Sequence, residues 1–384
     1  MSFSESIETL RADEAVRRRE FPVVESKVYL AHAAVCPLAR CVVSAVSDYL
    51  AQVGRGGQFE YLHAKAEAGA RALAAAMIDA TPDEIAFVSS TSAGLSLVAA
   101  GLPWKAGDTV VISEGDFPSN VYPWLRLEKL GVRVVPIRTR DGTVTLEQVQ
   151  AHIDDRTRLV ALSSVHYATG ARTDVDAIGA FLQSRGILVC VDAIQSLGAV
   201  PLSARHVDFL VADAHKWLLG PQGLGVLFVR RSRFAELDPV LVGWKSMEAS
   251  KDFVQQSLEL AHTARRYEPG SLNAIGIIGL HAALEMLQHL GVPAIAARIA
   301  SLRAPLVAAL LRKGYEVLGP PAGTTSGIAS FLRDGTDMVA LCRTLDQAGI
   351  VTSLRHDLAG RACIRVAPHF YNTEAELERL LAGV

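Results

Sequence analysis

What this 384-residue chain lacks narrows its function before any motif is read. Its 38 Lys and Arg nearly balance its 40 Asp and Glu, leaving a formal net charge of −2. That balance gives no electrostatic reason to expect nucleic acid or an anionic membrane as partner. Eleven histidines are scattered without an HExxH pattern and the cysteines without paired CxxC, so no metal site is expected. Five cysteines (Cys36, Cys41, Cys190, Cys342, Cys363) are an odd number at irregular spacings, which reads as reduced thiols of a cytoplasmic protein. The opening MSFSESIETLRADEAVRRREFP has no apolar signal core, and no charge-free run of about 18 residues follows, so no membrane span is expected. Arg17-Arg18-Arg19 reads as a solvated helix face. A dinucleotide-binding G-x-G-x-x-G after a first strand is also missing; GPQGLG has a different order and follows Lys216.

What is present is an apolar chain, 50% by composition, with alternating strand and helix signals. β-rich runs lie at Ile85–Val88, Thr109–Ser113, Val132–Ile137, Arg158–Ser163, Ile187–Val191 and Val207–Ala212, with helical segments such as Asn120–Leu130 and Asp174–Arg185 between them. Near-continuously apolar strands in that alternation predict a parallel sheet covered by helices on both faces. Gly225–Arg230 follows too soon for a helical crossover and is expected to run antiparallel. Beyond Gly270, helical stretches at Ala274–Leu290 and Pro293–Lys313 lead to a small α+β unit closed by a helix at Thr373–Ala382. The expected organisation is an N-terminal helical segment over 1–20, a large domain over 21–265 and a small domain over 266–384.

Open α/β sheets bind ligands at the carboxyl ends of their strands. Ser89 to Gly94 (SSTSAG) opens a helix there, an ordinary N-cap by itself and a phosphate seat in the right company. Phe117, His166 and Tyr167 fall on loops at the same edge. Asp192 closes one apolar strand, and His215 and Lys216 follow another, twenty-four residues on. Lysine is rarely buried without a partner, so its place between two buried strands needs an explanation. Asp192 and Lys216 at neighbouring strand ends suit pyridoxal phosphate, which needs an amine for a Schiff base and an acid to keep its ring nitrogen protonated. Desolvation lowers the lysine pKa and leaves more free amine.

The strings VCVDAIQSLGAVPL and ADAHKWLLGPQGLGVLFVR resemble the class V aminotransferases, fold-type I pyridoxal phosphate enzymes that include cysteine desulfurases, selenocysteine lyases, kynureninases and isopenicillin N epimerase-like proteins. The resemblance extends through YLAHAAVCPL, FVSSTSAGLSLVA, SEGDFPSNVYPW, YEPGSLNAIGIIGLHAALEML and IRVAPHFYNTEAELERL. It implies a mostly parallel seven-stranded sheet with a small C-terminal α+β domain. It makes Lys216 the Schiff-base lysine that shuttles the Cα proton, Asp192 the partner of the pyridinium nitrogen and Gln195 a contact of the phenolic oxygen. Thr91 and Ser92, helped by His215, match the phosphate-binding residues. Ser271 matches a hydroxyl offered to the neighbouring subunit's cofactor, which implies a homodimer with shared sites. Arg365 matches the arginine that grips a substrate α-carboxylate.

Three departures stand out. Phe117 replaces a ring-stacking histidine, Tyr167 replaces an asparagine, and Asp213 replaces a phosphate-binding serine; repulsion by phosphate should turn Asp213 elsewhere. The loop that carries the nucleophilic cysteine of desulfurases reads TSLRHDLAGRACIR here, and its one thiol, Cys363, sits two residues before Arg365 in an apolar strand as a packed core residue. His32, His166, Arg355 and His356 are further candidate substrate contacts. For the two buried-looking histidines a core role is equally natural, whereas Arg355 and His356, expected on a loop, would favour a second acidic group on the substrate. An amino acid substrate is expected, with aminotransferase or epimerase chemistry; the alternative is a lyase, such as a C–S lyase working without an enzyme thiol. Retention of both Lys216 and Asp192 disfavours a non-catalytic cofactor-binding protein.

Overall fold

The structure, a computed structural model, describes residues 3–58, 64–139, 141–250, 254, 257–320, 325–357 and 359–384. After a short strand β1 (Val28–Tyr29), seven strands build the main sheet: β2 (Ile85–Val88), β3 (Thr109–Ser113), β4 (Arg133–Ile137), β5 (Thr157–Ser163), β6 (Leu188–Asp192), β7 (Phe209–Asp213) and β8 (Gly225–Val229). Their order is β2-β8-β7-β6-β5-β3-β4, with β8 antiparallel to both neighbours and the other pairs parallel. Strand alternation sends successive residues to opposite faces. Val160, Val189, Val191, Leu210 and Ala212 join one buried cluster, while Leu159, Ala161, Cys190, Phe209 and Val211 join the other. Burial on both faces makes each strand apolar throughout, as expected for a sheet sandwiched by helices.

Helix Thr91–Gly101 lies close on β7 because a Cβ at Gly94 would stand 2.6 Å from Val211 Cγ1. The expected helix over Asn120–Leu130 is instead three short pieces, a 3-10 turn at Pro118–Asn120, an α-turn at Tyr122–Leu125 and a second 3-10 turn at Arg126–Leu130. Pro118 and Pro123 remove amide donors, which breaks a regular ladder.

A second sheet, antiparallel and in the order β12-β13-β10-β9, uses β9 (Glu316–Leu318), β10 (Ala329–Leu332), β12 (Ser353–His356) and β13 (Ala362–Val366); β11 (Ile350–Val351) pairs instead with β1. Helix Val292–Arg312 passes a length and hydropathy test for a membrane span. Here its Leu302, Leu306 and Leu310 pack into the core of the second sheet, and buried Arg298 and Arg303 bond to Glu374 and to the Ile328 carbonyl.

Candidate active site

All strands of the main sheet except β8 point the same way, so their carboxyl ends gather at one edge. β7 delivers Asp213 and then His215 and Lys216, with Lys216 only 7% exposed. Its ammonium makes no hydrogen bond among the described residues; it lies 5.4 Å from the centre of the Phe117 ring. Burial pushes the Lys216 pKa down and Arg365 and Arg355 push the same way, against the pull of Asp192 and Asp213. The result is an amine closer to its neutral, nucleophilic form than an ordinary lysine.

β6 ends in Asp192, whose Oδ1 accepts from the Ile194 N–H at 3.0 Å, while its buried Oδ2 has no partner. Burial, reinforced by Asp116, raises its pKa. An orphaned carboxylate oxygen at 2% exposure calls for a donor, and the N–H of a protonated pyridine ring supplies one. At the end of β2, Thr91 begins a helix whose first amides lack intrahelical partners, and Thr91 Oγ1 accepts from the Asp213 N–H at 3.0 Å. Ser92 Oγ is paired with Ser119 Oγ at 2.6 Å on the open side. A helix N-terminus of this kind favours a phosphate. The donor set therefore fits pyridoxal phosphate, with Thr91 and Ser92 at the phosphate, Asp192 at the ring nitrogen and Lys216 at the aldehyde carbon.

Gln195 is engaged within the protein: its Nε2 donates to the Ala33 carbonyl at 3.0 Å and its Oε1 accepts from Trp217 Nε1 at 2.8 Å. One N–H is left for a ligand. His215 lies 3.6 Å from Asp213 Oδ2, and burial, then Lys216, pull its pKa down to about 4, so it is a neutral imidazole. Asp213 Oδ1 faces Gly225, where a Cβ would be only 2.7 Å away, and the rest of its carboxylate lies beside Thr91 and His215, so it stays among the residues assigned to the phosphate. The Phe117 and Tyr167 rings meet edge to face at 5.3 Å.

The substrate end lies where the second sheet meets the loop after β5. Arg365 is 2% exposed and donates from one Nη to the Tyr167 carbonyl at 2.7 Å, leaving Nε and the other Nη without partners. Burial and the neighbouring Arg355 lower its pKa to about 9. Two donor nitrogens left unused on a planar fork have the geometry that suits a carboxylate.

The remaining expected contacts are placed differently from one another. His32 is wholly buried, its Nδ1 2.8 Å from the Ala367 carbonyl and its Nε2 2.7 Å from the Tyr371 hydroxyl. His166 accepts from the Thr169 N–H through Nδ1 and reaches the Gly115 carbonyl through Nε2 at 3.2 Å. With both ring nitrogens occupied, the two histidines brace the edge and neither reaches out to a substrate. Arg355 and His356 lie on strand β12 and not on a loop, so alternation separates them: Arg355 shares the face of Arg365, and His356 is exposed on the other. Ser271 is exposed and lines an apolar groove of about 530 Å3 with Phe87, Gly223 and Leu241.

Sequence reasoning missed Asp116. Its carboxylate accepts from Ser163 Oγ at 2.7 Å and from Asn120 Nδ2 at 3.1 Å, and it stands near enough to Asp192 to raise its pKa. Its only sequence signal was a place in the loop after β3.

The profile of the aminotransferase class-V family matches residues 28–380. The chain belongs to that family. As a class V protein it is a pyridoxal phosphate-dependent enzyme, and the residues at its strand ends fit that cofactor. It is 32% identical to a probable cysteine desulfurase of Methanothermobacter thermautotrophicus, over 94% of this chain and 95% of the relative. It is 33% identical to an uncharacterized aminotransferase, YcbU, of Bacillus subtilis, over 95% of each. Among solved structures, an apo cysteine desulfurase from Thermococcus onnurineus superposes with a TM-score of 0.89 at 27% identity, covering 100% of this chain and 98% of that one. Cysteine desulfurases break a C–S bond, so these relatives favour the lyase alternative over the aminotransferase or epimerase reading of the sequence.

Proposed function

We propose that this class V enzyme is a carbon–sulfur lyase that eliminates sulfur from the β-carbon of an amino acid without an enzyme thiol as acceptor. The observation that carries the proposal is the state of Cys363. It lies in β13 with no exposed surface, and burial pushes its thiol up to about 11. Burial also raises Cys36, Cys41 and Cys190, so none of these four presents a thiolate at neutral pH. The fifth, half-buried Cys342, lies on helix Met338–Gln347 with its Sγ 3.5 Å from Thr352 Oγ1, and in this reading sulfur departs as a small diffusible thiol or sulfide.

Bound pyridoxal phosphate supplies the electron sink for the pair released at Cα. Asp192 Oδ2, buried and without a partner in the protein, would hold the ring N–H and keep that sink electron-poor. Arg365 seats the α-carboxylate through Nε and its free Nη, which orients Cα–H toward Lys216. The Lys216 amine takes the Cα proton; the Cβ–S bond then breaks with its electron pair on sulfur. The Phe117 ring cannot exchange protons, which leaves that work to Lys216. Homodimerisation belongs to the same proposal: Ser271, exposed on an apolar groove, suits a partner's site. Five free cysteines support a reducing, cytoplasmic setting, with an amino acid as small-molecule partner and neither nucleic acid nor membrane.

The test supplies L-cysteine and L-cystine to the cofactor-loaded enzyme before and after alkylation with iodoacetamide. Pyruvate, ammonia and released sulfur are expected, with turnover surviving alkylation. Alanine together with a protein-bound persulfide would place the sulfur on an enzyme thiol and end this reading.

A further inference from the structure

Arg365 is not the only cation at the substrate end. In the β12–β13 ladder Ser353 pairs with Arg365 and Arg355 with Cys363. Arg355 and Arg365 therefore occupy diagonal positions on one face of the sheet, within reach of long side chains. Arg355 is half-buried, and one Nη donates to its own Leu354 carbonyl at 2.7 Å. Among the described residues no carboxylate lies within ion-pairing distance of it. The nearest acid in sequence, Asp357, is committed to Arg361 at 2.7 Å and to the Ala359 and Arg361 amides. Arg355 also acts electrostatically on Lys216, Arg365 and Tyr167, which places its charge at the reacting end of the site.

Two uncompensated guanidinium groups exceed what one α-carboxylate requires. Burying like charges side by side is unfavourable unless a ligand neutralises them. We propose that Arg355 is a specificity residue that selects amino acids bearing a second anionic group on the sulfur side of the β-carbon. Arg365 takes the α-carboxylate and Arg355 the distal acid, so the preferred substrates are S-substituted cysteines whose sulfur carries a carboxylate-bearing arm. The assignment rests on the lyase reading for its chemistry, though not for its binding. With S-carboxymethyl-L-cysteine the Cα proton goes to Lys216, the Cβ–S bond breaks with its pair on sulfur, and thioglycolate leaves. The three-carbon enamine takes up water to give pyruvate and ammonium, so no oxidant or reductant is needed.

The experiment separates binding from chemistry. Calorimetry on the holoenzyme compares 3-(carboxymethylthio)propanoate with 3-(ethylthio)propanoate, which have no amine and cannot react with the cofactor. The dianion should bind about ten- to a hundredfold tighter, the yield of one added charge-assisted pair. Arg355→Gln should erase that preference and Arg355→Lys should keep part of it. Equal affinities in the unaltered enzyme, a comparison that needs no variant, overturn the assignment, as does a preference that survives in Arg355→Gln. In parallel, pyruvate is measured from S-carboxymethyl-L-cysteine and S-ethyl-L-cysteine, with kcat/KM expected to favour the acid. If the binding preference holds and no pyruvate forms from either, the lyase reading falls while the second-acid site stands.

Discussion

Replacing Arg365 with methionine should make the enzyme more stable and less active. The guanidinium is held charged in a buried position that lowers its pKa from 12.5 to about 9, a penalty on the charged form of about 5 kcal/mol. Against that, the Tyr167 carbonyl loses its 2.7 Å donor, which costs about 1–3 kcal/mol. Methionine roughly conserves the volume of the stem, so packing changes little. The net expectation is a gain of about 2–4 kcal/mol, in line with other replacements of buried ionic groups by apolar ones. Catalysis should move the other way, because the α-carboxylate loses two charge-assisted hydrogen bonds. A fall in kcat/KM of about 10²- to 10³-fold follows, expressed mainly in KM. Urea unfolding and pyruvate kinetics on the same preparations provide the assay. A variant that is less stable than the parent, with KM unmoved, would show that Arg365 is a framework cation and that the carboxylate receptor is misplaced.

Two further outcomes follow from the geometry. Gly94→Ala places a methyl 2.6 Å from Val211 Cγ1, so helix Thr91–Gly101 must shift off β7; a loss of about 1–3 kcal/mol in unfolding free energy and weaker cofactor affinity are expected, and an unchanged Tm would show that the close approach is not needed. Burial lifts Asp213 from 3.8 to about 6, so across that window the folded protein keeps a proton that the unfolded chain releases. Stability should therefore fall as pH rises from 4 to 6, by up to about 3 kcal/mol from this group. In cofactor-free Asp213→Asn that part of the slope should vanish, and urea midpoints at several pH values show whether it does.

The strands of the main sheet were legible because burial on both faces left them nearly free of polar residues, and β8 because its link to β7 is too short for a crossover. Lys216 and Asp192 were legible for a related reason: a charge that ends an apolar strand stands out against its surroundings. The failures have physical causes too. Histidine suits a core network as well as a ligand, and only the positions of Ala367, Tyr371, Thr169 and Gly115 reveal that His32 and His166 have both nitrogens occupied. Arg355 and His356 looked like loop residues because β12 is short and polar at its end, and the face each one takes depends on register with β13. Asp116 was invisible because its meaning comes from nearness to Asp192, which sequence spacing does not encode.

The segment that starts at β1 carries a mechanical consequence. Val28 and Tyr29 are stitched to Ile350 and Val351, Ala31 bridges to Ala367 two residues past Arg365, and the Cys36 N–H holds the His215 carbonyl at 2.7 Å. One short strap thus fastens the arginine-bearing sheet to the turn that carries Lys216. A backbone shift at the arginines would therefore pull on the residue next to Lys216, through this strap and through the contact of His369 Nε2 with the Trp217 carbonyl at 3.2 Å.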